Sequence, residues 1–214
     1  MKFTIYDSAG TILVIRSFNW KLSASHNNPF LNMKKIFFCL ALFCVFGFSD
    51  HGLVKTKING GITVSLPEEF EPMTPEDIIQ RYPSVRAPLG AFTNPDRLVD
   101  FCVNISATQW KVEDSKLAMK FFKSSIYSMY DRVEMISEGE ITIRKQNYFY
   151  FEFDSRLNSD KKNISTQDAL MKYIYIMYLV KADRTLVFSF NCTKEQKEDW
   201  QPIANKIMHS IKVK

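Results

Sequence analysis

Histidine and cysteine are the first side chains to consider for catalysis or metal binding, because they titrate, coordinate metals and attack electrophiles near neutral pH. After residue 49 the sequence contains only His51, His209, Cys102 and Cys192. Their spacing matches neither a zinc site nor a known cysteine-nucleophile motif. A Cys192–His209 pair is left open as a nucleophilic arrangement, but its spacing gives it no support. We therefore predict no catalytic, cofactor-binding or metal-binding residues, and no cofactor.

Two pairs of carboxylates have the spacing that places both members on one face of a strand. They are Glu138 with Glu140 and Glu152 with Asp154. Paired acids can serve as general acid and general base when burial separates their pKa values. Because alternating phenylalanines occupy the other face of the second strand, we interpret both pairs as the solvent-facing side of a hairpin.

Tyrosines also alternate on two predicted strands. Tyr148 and Tyr150 share one face, and Tyr173 and Tyr175 share a face of a strand that we expect nearby. If these faces adjoin, they form a tyrosine patch with Glu152 at its edge, and exposed tyrosine is favoured at protein interfaces. These five residues are the candidate partner-binding patch. The alternative, which we favour, is that a helix covers the rings and their hydroxyls reach the rim.

The stretch NMKKIFFCLALFCVFGFSD, residues 32–50, has the pattern of an export signal. Two lysines follow Met33, an apolar run covers residues 36–48, and small residues precede Asp50. The apolar run is well short of the roughly 20 residues that span a bilayer. We predict a signal peptide over 33–49, cleavage between Ser49 and Asp50, and no stable membrane insertion afterwards.

Residues 1–32 are hard to reconcile with that signal. They are polar and unpatterned apart from one possible strand at 11–15, and they are too few to bury a core. We favour an upstream, mis-assigned start, with translation beginning at Met33. The alternative is a cytoplasmic extension ahead of a signal anchor.

The charge of the whole chain overstates how basic the exported part is. The whole chain has 28 basic and 23 acidic residues. Five of the basic residues and one of the acidic residues lie in residues 1–49, which leaves 23 basic and 22 acidic residues in the exported part. A nearly neutral chain lacks the basic excess that tracks phosphates, so we predict no nucleic-acid partner. Residues 50–214 have the size of a single domain.

The exported part retains two of the four cysteines, Cys102 and Cys192. In an oxidising compartment they could form a disulfide. Strand alternation places them on opposite faces, where two thiols cannot bridge, so we favour buried free thiols and keep the disulfide as the alternative.

Local patterns predict an α+β protein. Thr74 followed by Pro75 indicates the start of a short helix, and Thr193 with Gln196 has the capping-box pattern for a terminal helix. Turn residues separate three hairpins, and Gly139 is a candidate bulge. The predicted strands cover residues 61–67, 87–93, 98–105, 133–143, 147–156, 171–181 and 185–192, and a long helix covers 111–132. We expect an antiparallel sheet of about six to seven strands, packed with helices as an α/β/α sandwich whose central strand lies at 171–180.

Two segments carry a resemblance to a known fold. They are GITVSLPEEFEPMTPEDIIQRYPSVRAP at 61–88, followed by AFTNPD, and SFNCTKEQKEDWQPIANKIMHSIKV at the C-terminus. With this element order, the chain resembles the PsbP-like fold shared by PsbP and the Mog-type Ran-binding proteins, and more closely resembles small exported bacterial proteins of unknown function. The resemblance implies a fold and an exported setting, and it carries over no catalytic or cofactor residue.

These features together favour a binding role outside the cytoplasm. We expect a non-enzymatic domain, in the periplasm or cell envelope or secreted, that binds a protein or an envelope component. The alternative is an envelope hydrolase or small-ligand-binding protein with a pocket between the sheet and the long helix. A deep pocket that contains Cys192, His209 or a buried carboxylate pair would favour that alternative.

Overall fold

The computed structural model describes residues 52–82, 86–158 and 169–214. The predicted signal peptide and the segment before it lie outside these residues. The strands are β1 (Leu53–Ile58), β2 (Ile62–Pro67), β3 (Glu71–Pro72), β4 (Gly90–Thr93), β5 (Val99–Ile105), β6 (Arg132–Ile143), β7 (Gln146–Asn158), β8 (Ala169–Val180), β9 (Thr185–Thr193) and β10 (Lys212–Val213). The helices are α1 (Pro75–Arg81), α2 (Ser115–Met129) and α3 (Lys197–Ser210).

A seven-stranded antiparallel sheet forms the middle of the protein. Its strand order is β3-β4-β5-β9-β8-β7-β6, and hairpins connect β4 to β5, β6 to β7 and β8 to β9. Every residue from Tyr173 to Val180 in β8 is buried, on both faces of the strand. This confirms the prediction of a doubly covered central strand, which followed from apolar residues in both phases.

A second sheet of three strands, in the order β1-β2-β10, was not predicted. No strand was predicted before residue 61, but Leu53 to Ile58 pair with Pro67 to Ile62 along the whole of β1. Gly60 and Gly61 form the turn with φ angles of 78° and 77°, a conformation that glycine adopts without steric cost. Only Ile58 of β1 is buried, and its three apolar residues do not alternate regularly with the polar ones, so its pattern did not stand out.

Three layers result, which confirms the α/β/α prediction. Helix α3 and the small sheet cover one face of the large sheet, and α2 covers the other. Ser65 in β2 donates its backbone N–H to Ser210 Oγ at the end of α3, 2.8 Å away, and so joins the two covering elements. The buried stripe of α3 consists of Trp200, Ile203, Ile207 and, directly after the helix, Ile211.

Helix α1 begins as the sequence predicts. Thr74 Oγ1 accepts a hydrogen bond of 3.2 Å from the backbone N–H of Asp77, and Pro75 occupies the first turn. Met73 packs in the same small cluster as Ile78, as a hydrophobic staple does. The short helix is therefore fixed by local chemistry at its N-terminus.

Two local predictions were wrong. The Thr193 side chain makes no cap hydrogen bond, because a 3-10 turn (Lys194–Gln196) precedes α3 and places Gln196 at the cap position. The register of β6 shifts between Met135 and Ser137, and Gly139 pairs regularly with Tyr150. A Cβ at Gly139 would lie 3.4 Å from the Tyr150 ring, which is an ordinary van der Waals contact, so the position requires neither a bulge nor a glycine.

Candidate functional site

The two cysteines are buried free thiols on opposite faces of the large sheet, as predicted. Burial raises the pKa of Cys102 and that of Cys192 to about 12, which keeps both thiols protonated and weakly nucleophilic. His209 is exposed on α3, and its Nδ1 lies 2.8 Å from the backbone oxygen of Asn205. His209 Nδ1 is engaged with its own helix and the Cys192 thiol stays protonated, so the arrangement does not activate Cys192 as a nucleophile.

The four tyrosines of the predicted patch lie close together, but helix α3 and the small sheet cover them. Tyr148, Tyr173 and Tyr175 are no more than 2% exposed, within the core beneath α3 and the small sheet. Tyr150 is half-buried, with its ring centre 5.7 Å from that of Tyr175. This arrangement is the alternative that we favoured. Partner binding by the four tyrosines and Glu152 stays a prediction, and it would require the covering elements to move away.

Glu152 connects this tyrosine cluster to helix α3. Its Oε1 accepts hydrogen bonds from Tyr173 Oη at 2.8 Å and from Gln201 Nε2 at 2.6 Å. Burial, followed by the bond to Glu152, raises the pKa of Tyr173 far above its usual range. The prediction that Glu152 and Asp154 face solvent was wrong, because strand alternation separates two faces but does not reveal that both are covered.

Asp154 lies beside this network and is only partly satisfied. Its Oδ2 accepts a hydrogen bond of 2.8 Å from Lys197 Nζ, and that ammonium also lies 5.7 Å from the centre of the Tyr173 ring. The other carboxylate oxygen, Oδ1, is buried and has no hydrogen-bond partner among the described residues. A buried acceptor without a donor is uncommon and needs an explanation.

A cavity of about 100 Å³ opens at the end of the sheet where β6 begins, β7 ends and β8 begins. Three of its lining residues are basic, two are acidic and one is an apolar, partly exposed methionine. The lining consists of Arg132, Glu134, Asp154, Ser155, Arg156, Met171 and Lys194. The cavity borders the 3-10 turn that leads into α3, so it does not lie between the sheet and the long helix α2, where the alternative function would place a pocket.

The surface of α2 carries exposed apolar and basic side chains side by side. Leu117 and Phe121 are one helical turn apart and are 59% and 42% exposed, and Val112 just before the helix is 55% exposed. Lys116 and Lys120 flank them and make no ion pair with a described residue. We call these five residues the α2 face.

A buried polar cluster joins α1 to the sheet. Arg81 Nη1 donates to Asp100 Oδ1 at 2.7 Å, and Thr93 Oγ1 donates to the same oxygen at 2.8 Å. Burial raises the pKa of Asp100, while burial lowers the pKa of nearby Lys172, whose Nζ donates to Asn191 Oδ1 at 3.2 Å. No local pattern indicates this cluster, because Arg81 and Asp100 lie far from Lys172 and Asn191 in the chain. The polar groups of the cluster bind one another, so we assign the cluster a structural role.

Metal sites and membrane spans can be assessed for the described ranges. Within them, no group of three or more histidine, cysteine or acidic side chains is close enough to hold a metal ion. No helix in the same part of the chain is long and apolar enough to cross a membrane.

The sequence matches no protein-family model and no curated protein. Solved structures do resemble it. PsbP from the cyanobacterium Synechocystis aligns with a TM-score of 0.53 and 13% identity, over 78% of this chain and 96% of its own. The fold is PsbP-like. The Saccharomyces cerevisiae Ran-binding protein Mog1p shares this PsbP-like fold, with a TM-score of 0.50 and 13% identity over 77% of this chain and 96% of its own. At such identities the likeness establishes the fold alone.

Proposed function

We propose that this protein is an exported, non-enzymatic domain that binds a protein of the cell envelope through the α2 face. The observation that carries the proposal is the exposure of Leu117 and Phe121 on a helix that already buries its opposite face. Neighbouring exposed apolar side chains cost free energy in water, and an extended patch of them is typical of a protein interface.

The charges around the patch indicate what kind of surface it binds. Helix α2 contains no acidic residue, and Lys116 and Lys120 border Leu117 and Phe121, while the exposed acids Glu113 and Asp114 precede the helix beside Val112. A partner surface with apolar residues surrounded by carboxylates would complement the α2 face, because its apolar residues would contact Leu117 and Phe121 and its carboxylates would pair with the lysines. The PsbP-like fold also serves as a binding domain elsewhere, since Mog1p is named as a Ran-binding protein.

The proposed interface can be tested by site-specific crosslinking in the full chain. A photoreactive amino acid at Phe121 should capture a partner that the same group at Ile79, which is 73% exposed on α1, does not capture. The captured protein should then bind the Leu117→Ser/Phe121→Ser variant at least about tenfold more weakly than the parent, because central apolar contacts dominate interface energies.

Ile79→Ser is the matched control and should bind as the parent does. Equal binding by the Leu117→Ser/Phe121→Ser variant would refute the α2 face as the interface. Binding of the chain to anionic lipid vesicles with the same dependence on Leu117 and Phe121, and no protein capture, would replace the protein partner with a membrane surface.

We also propose the domain organisation and the location that the sequence predicts, with a signal peptide over 33–49 and one domain over 50–214. The support is the pattern of charged, apolar and small residues before Asp50. N-terminal sequencing of the protein from its native cells should begin at or near Asp50. An intact Met1 in a cytoplasmic fraction would refute export.

A further inference from the structure

One face of the small sheet presents four exposed lysines, and its strands contain no acidic residue. Residues directly opposite each other in a sheet point to the same face, so the register places Lys57, Thr63 and Lys212 in one row across β1, β2 and β10. Lys55 lies two residues before Lys57, and Lys214 lies two residues after Lys212, so strand alternation places both on the same face. All four lysine side chains are exposed. We call these four residues the lysine face.

The opposite face of the small sheet packs on the protein and fixes the direction of the lysine face. Its residues include Ile58, Ile62, Val64, Leu66 and Val213, which are all buried in the core beside α3. A sheet that buries one face presents the other to solvent, so the lysine side chains point away from the core.

The ammonium groups of the lysine face have no anionic partner among the residues that the structure describes. Charged groups at its edge already have partners. Lys181 Nζ donates to the backbone oxygen of Lys214 at 2.9 Å, and so offsets negative charge at that end of the chain. Asp183 pairs with Arg184 beside the turn at Gly60. These groups therefore do not neutralise the lysine face.

Two acids follow β2, but they lie at its other end. Glu68 and Glu69 come directly after the strand, whereas Lys57 and Lys212 flank Thr63 near its start. Glu68 is five residues from Thr63, or about 16 Å along an extended chain, which is more than a screening length in physiological salt. Even with both acids counted, four positive charges stand against two negative ones, so this side of the protein is positively charged.

The spacing of the lysines indicates a flat anionic surface as the ligand. Lys55 and Lys57 are about 7 Å apart along β1, and Lys57 and Lys212 are about 10 Å apart across two strand spacings. A single phosphate reaches few of these ammonium groups and a linear polyanion follows one line of them, whereas the lipid phosphates of a bilayer are spread in two dimensions. The apolar residues on this side, Leu53 and Pro67, are not exposed, so they are not available to enter the hydrocarbon.

We propose that the lysine face docks the protein on a bilayer that contains anionic phospholipids, with its ammonium groups beside the lipid phosphates and no insertion into the hydrocarbon. Each lysine near such a surface increases partitioning by about fivefold. Residues 50–214 carry 23 basic and 22 acidic residues, so the uneven distribution of charge, and not the net charge, orients the protein. Helix α2 covers the opposite face of the large sheet, so the docked protein leaves the α2 face accessible to a partner.

Co-sedimentation with lipid vesicles tests the proposal, using the protein as it is isolated from its native cells. Vesicles with about 30% phosphatidylglycerol in phosphatidylcholine should bind it, at about 0.05 M salt, at least about tenfold more tightly than vesicles of phosphatidylcholine alone. Raising the salt to about 0.5 M should remove most of this difference, because it shortens the screening length to a few ångströms. An apolar contact would persist at high salt and would not distinguish the two lipids.

Two variants with the same loss of charge separate the lysine face from the net charge. Lys57→Gln/Lys212→Gln removes two lysines from the face and should weaken binding to the anionic vesicles at least about tenfold. Lys111→Gln/Lys194→Gln is the matched control, because both lysines are exposed and lie at the 3-10 turns before α2 and α3. Its binding should stay within about twofold of the parent.

Three results would overturn the proposal: equal binding to anionic and neutral vesicles, parent-like binding by Lys57→Gln/Lys212→Gln, or an equal loss in both double variants. Binding of soluble polyphosphate through the same lysines, without binding to anionic vesicles, would also overturn it and indicate a soluble polyanion. These outcomes leave the α2 face untouched, because photocrosslinking at Phe121 is measured without vesicles. Loss of that crosslinking with retained vesicle binding would count against the proposed function alone.

Discussion

At the scale of single residues, burial decides what the titratable side chains can do. The Tyr173 hydroxyl is committed to Glu152, and the Cys102 and Cys192 thiols have raised pKa values and no activating partner. Asp154 differs from them, because one of its oxygens is bound and the other is not.

Tyr173→Phe should destabilise the protein by about 1–3 kcal/mol, because Glu152 Oε1 then loses a buried donor. The free energy of unfolding from urea titration measures the effect. Tyr127→Phe is the matched control: Tyr127 is 48% exposed on α2, and its change should remain within about 0.5 kcal/mol. Equal stability of Tyr173→Phe and the parent would mean that the Tyr173–Glu152 bond contributes nothing.

At the scale of elements, position in the sheet sets how well each strand is protected. β8 has a partner on either side and covered faces, whereas β6 pairs only with β7 and ends the order of the large sheet. The exposed carboxylates of β6, together with its register shift at Ile136, are features that discourage edge-to-edge pairing with other chains. Helix α1 depends on its first turn, since it has only seven residues.

Amide hydrogen exchange should reveal this order. The amides of Tyr173 to Val180 should exchange slowest, through global unfolding, and alternate amides of β6 that point away from β7 should exchange faster by roughly a hundredfold or more. Residue-resolved exchange followed by NMR at neutral pH measures both sets. Slow exchange at every position of β6 would indicate that another strand covers this edge.

Thr74→Ala should cost about 1 kcal/mol, the typical value for losing an N-cap acceptor. Urea titration measures the loss. Thr74→Ser keeps a hydroxyl that can accept from the Asp77 N–H, so it should retain nearly all of the parent's stability. If both variants lose the same amount, the contribution of Thr74 comes from its methyl group and not from the cap.

At the scale of the whole molecule, two covered faces place many titratable groups in a dry interior. Burial raises the pKa of Cys102, Cys192 and Tyr148 to about 12 each. In the unfolded chain these groups lose their protons near their ordinary pKa values, about 8.5 for cysteine and 10 for tyrosine. The unfolded state therefore binds fewer protons than the folded state in alkaline solution, and stability falls as the pH rises.

The free energy of unfolding should accordingly stay constant up to about pH 8 and then decrease, by up to about 1.4 kcal/mol per pH unit for each thiol, as the pH approaches 12. Urea titrations between pH 7 and 10.5, chosen as roughly the window between the unfolded and folded values, measure this. In the Cys102→Ala/Cys192→Ala variant the decrease should begin about one to two pH units later, where the tyrosines start to ionise. A parent protein of constant stability up to pH 10 would contradict the prediction.

Consecutive residues encode much of this fold. The cap at Thr74, the hairpin turns, the stripe of α3 and the doubly apolar β8 were predictable, because each depends on residues close together in the chain. The three hairpins, the central position of β8 and the resemblance to the PsbP-like fold followed from these elements. The opposite faces of Cys102 and Cys192 followed from strand alternation alone.

Tertiary structure decided the rest, because it depends on which distant segments meet. Only the fold shows that α3 and an unpredicted small sheet cover the tyrosines, and that Glu152 and Asp154 are on the covered face. The cavity is built from β6, β7, β8 and the turn before α3, so no local pattern could signal it. A sequence states which side chains alternate, but burial and an unpaired oxygen such as Asp154 Oδ1 arise only when separate segments pack together.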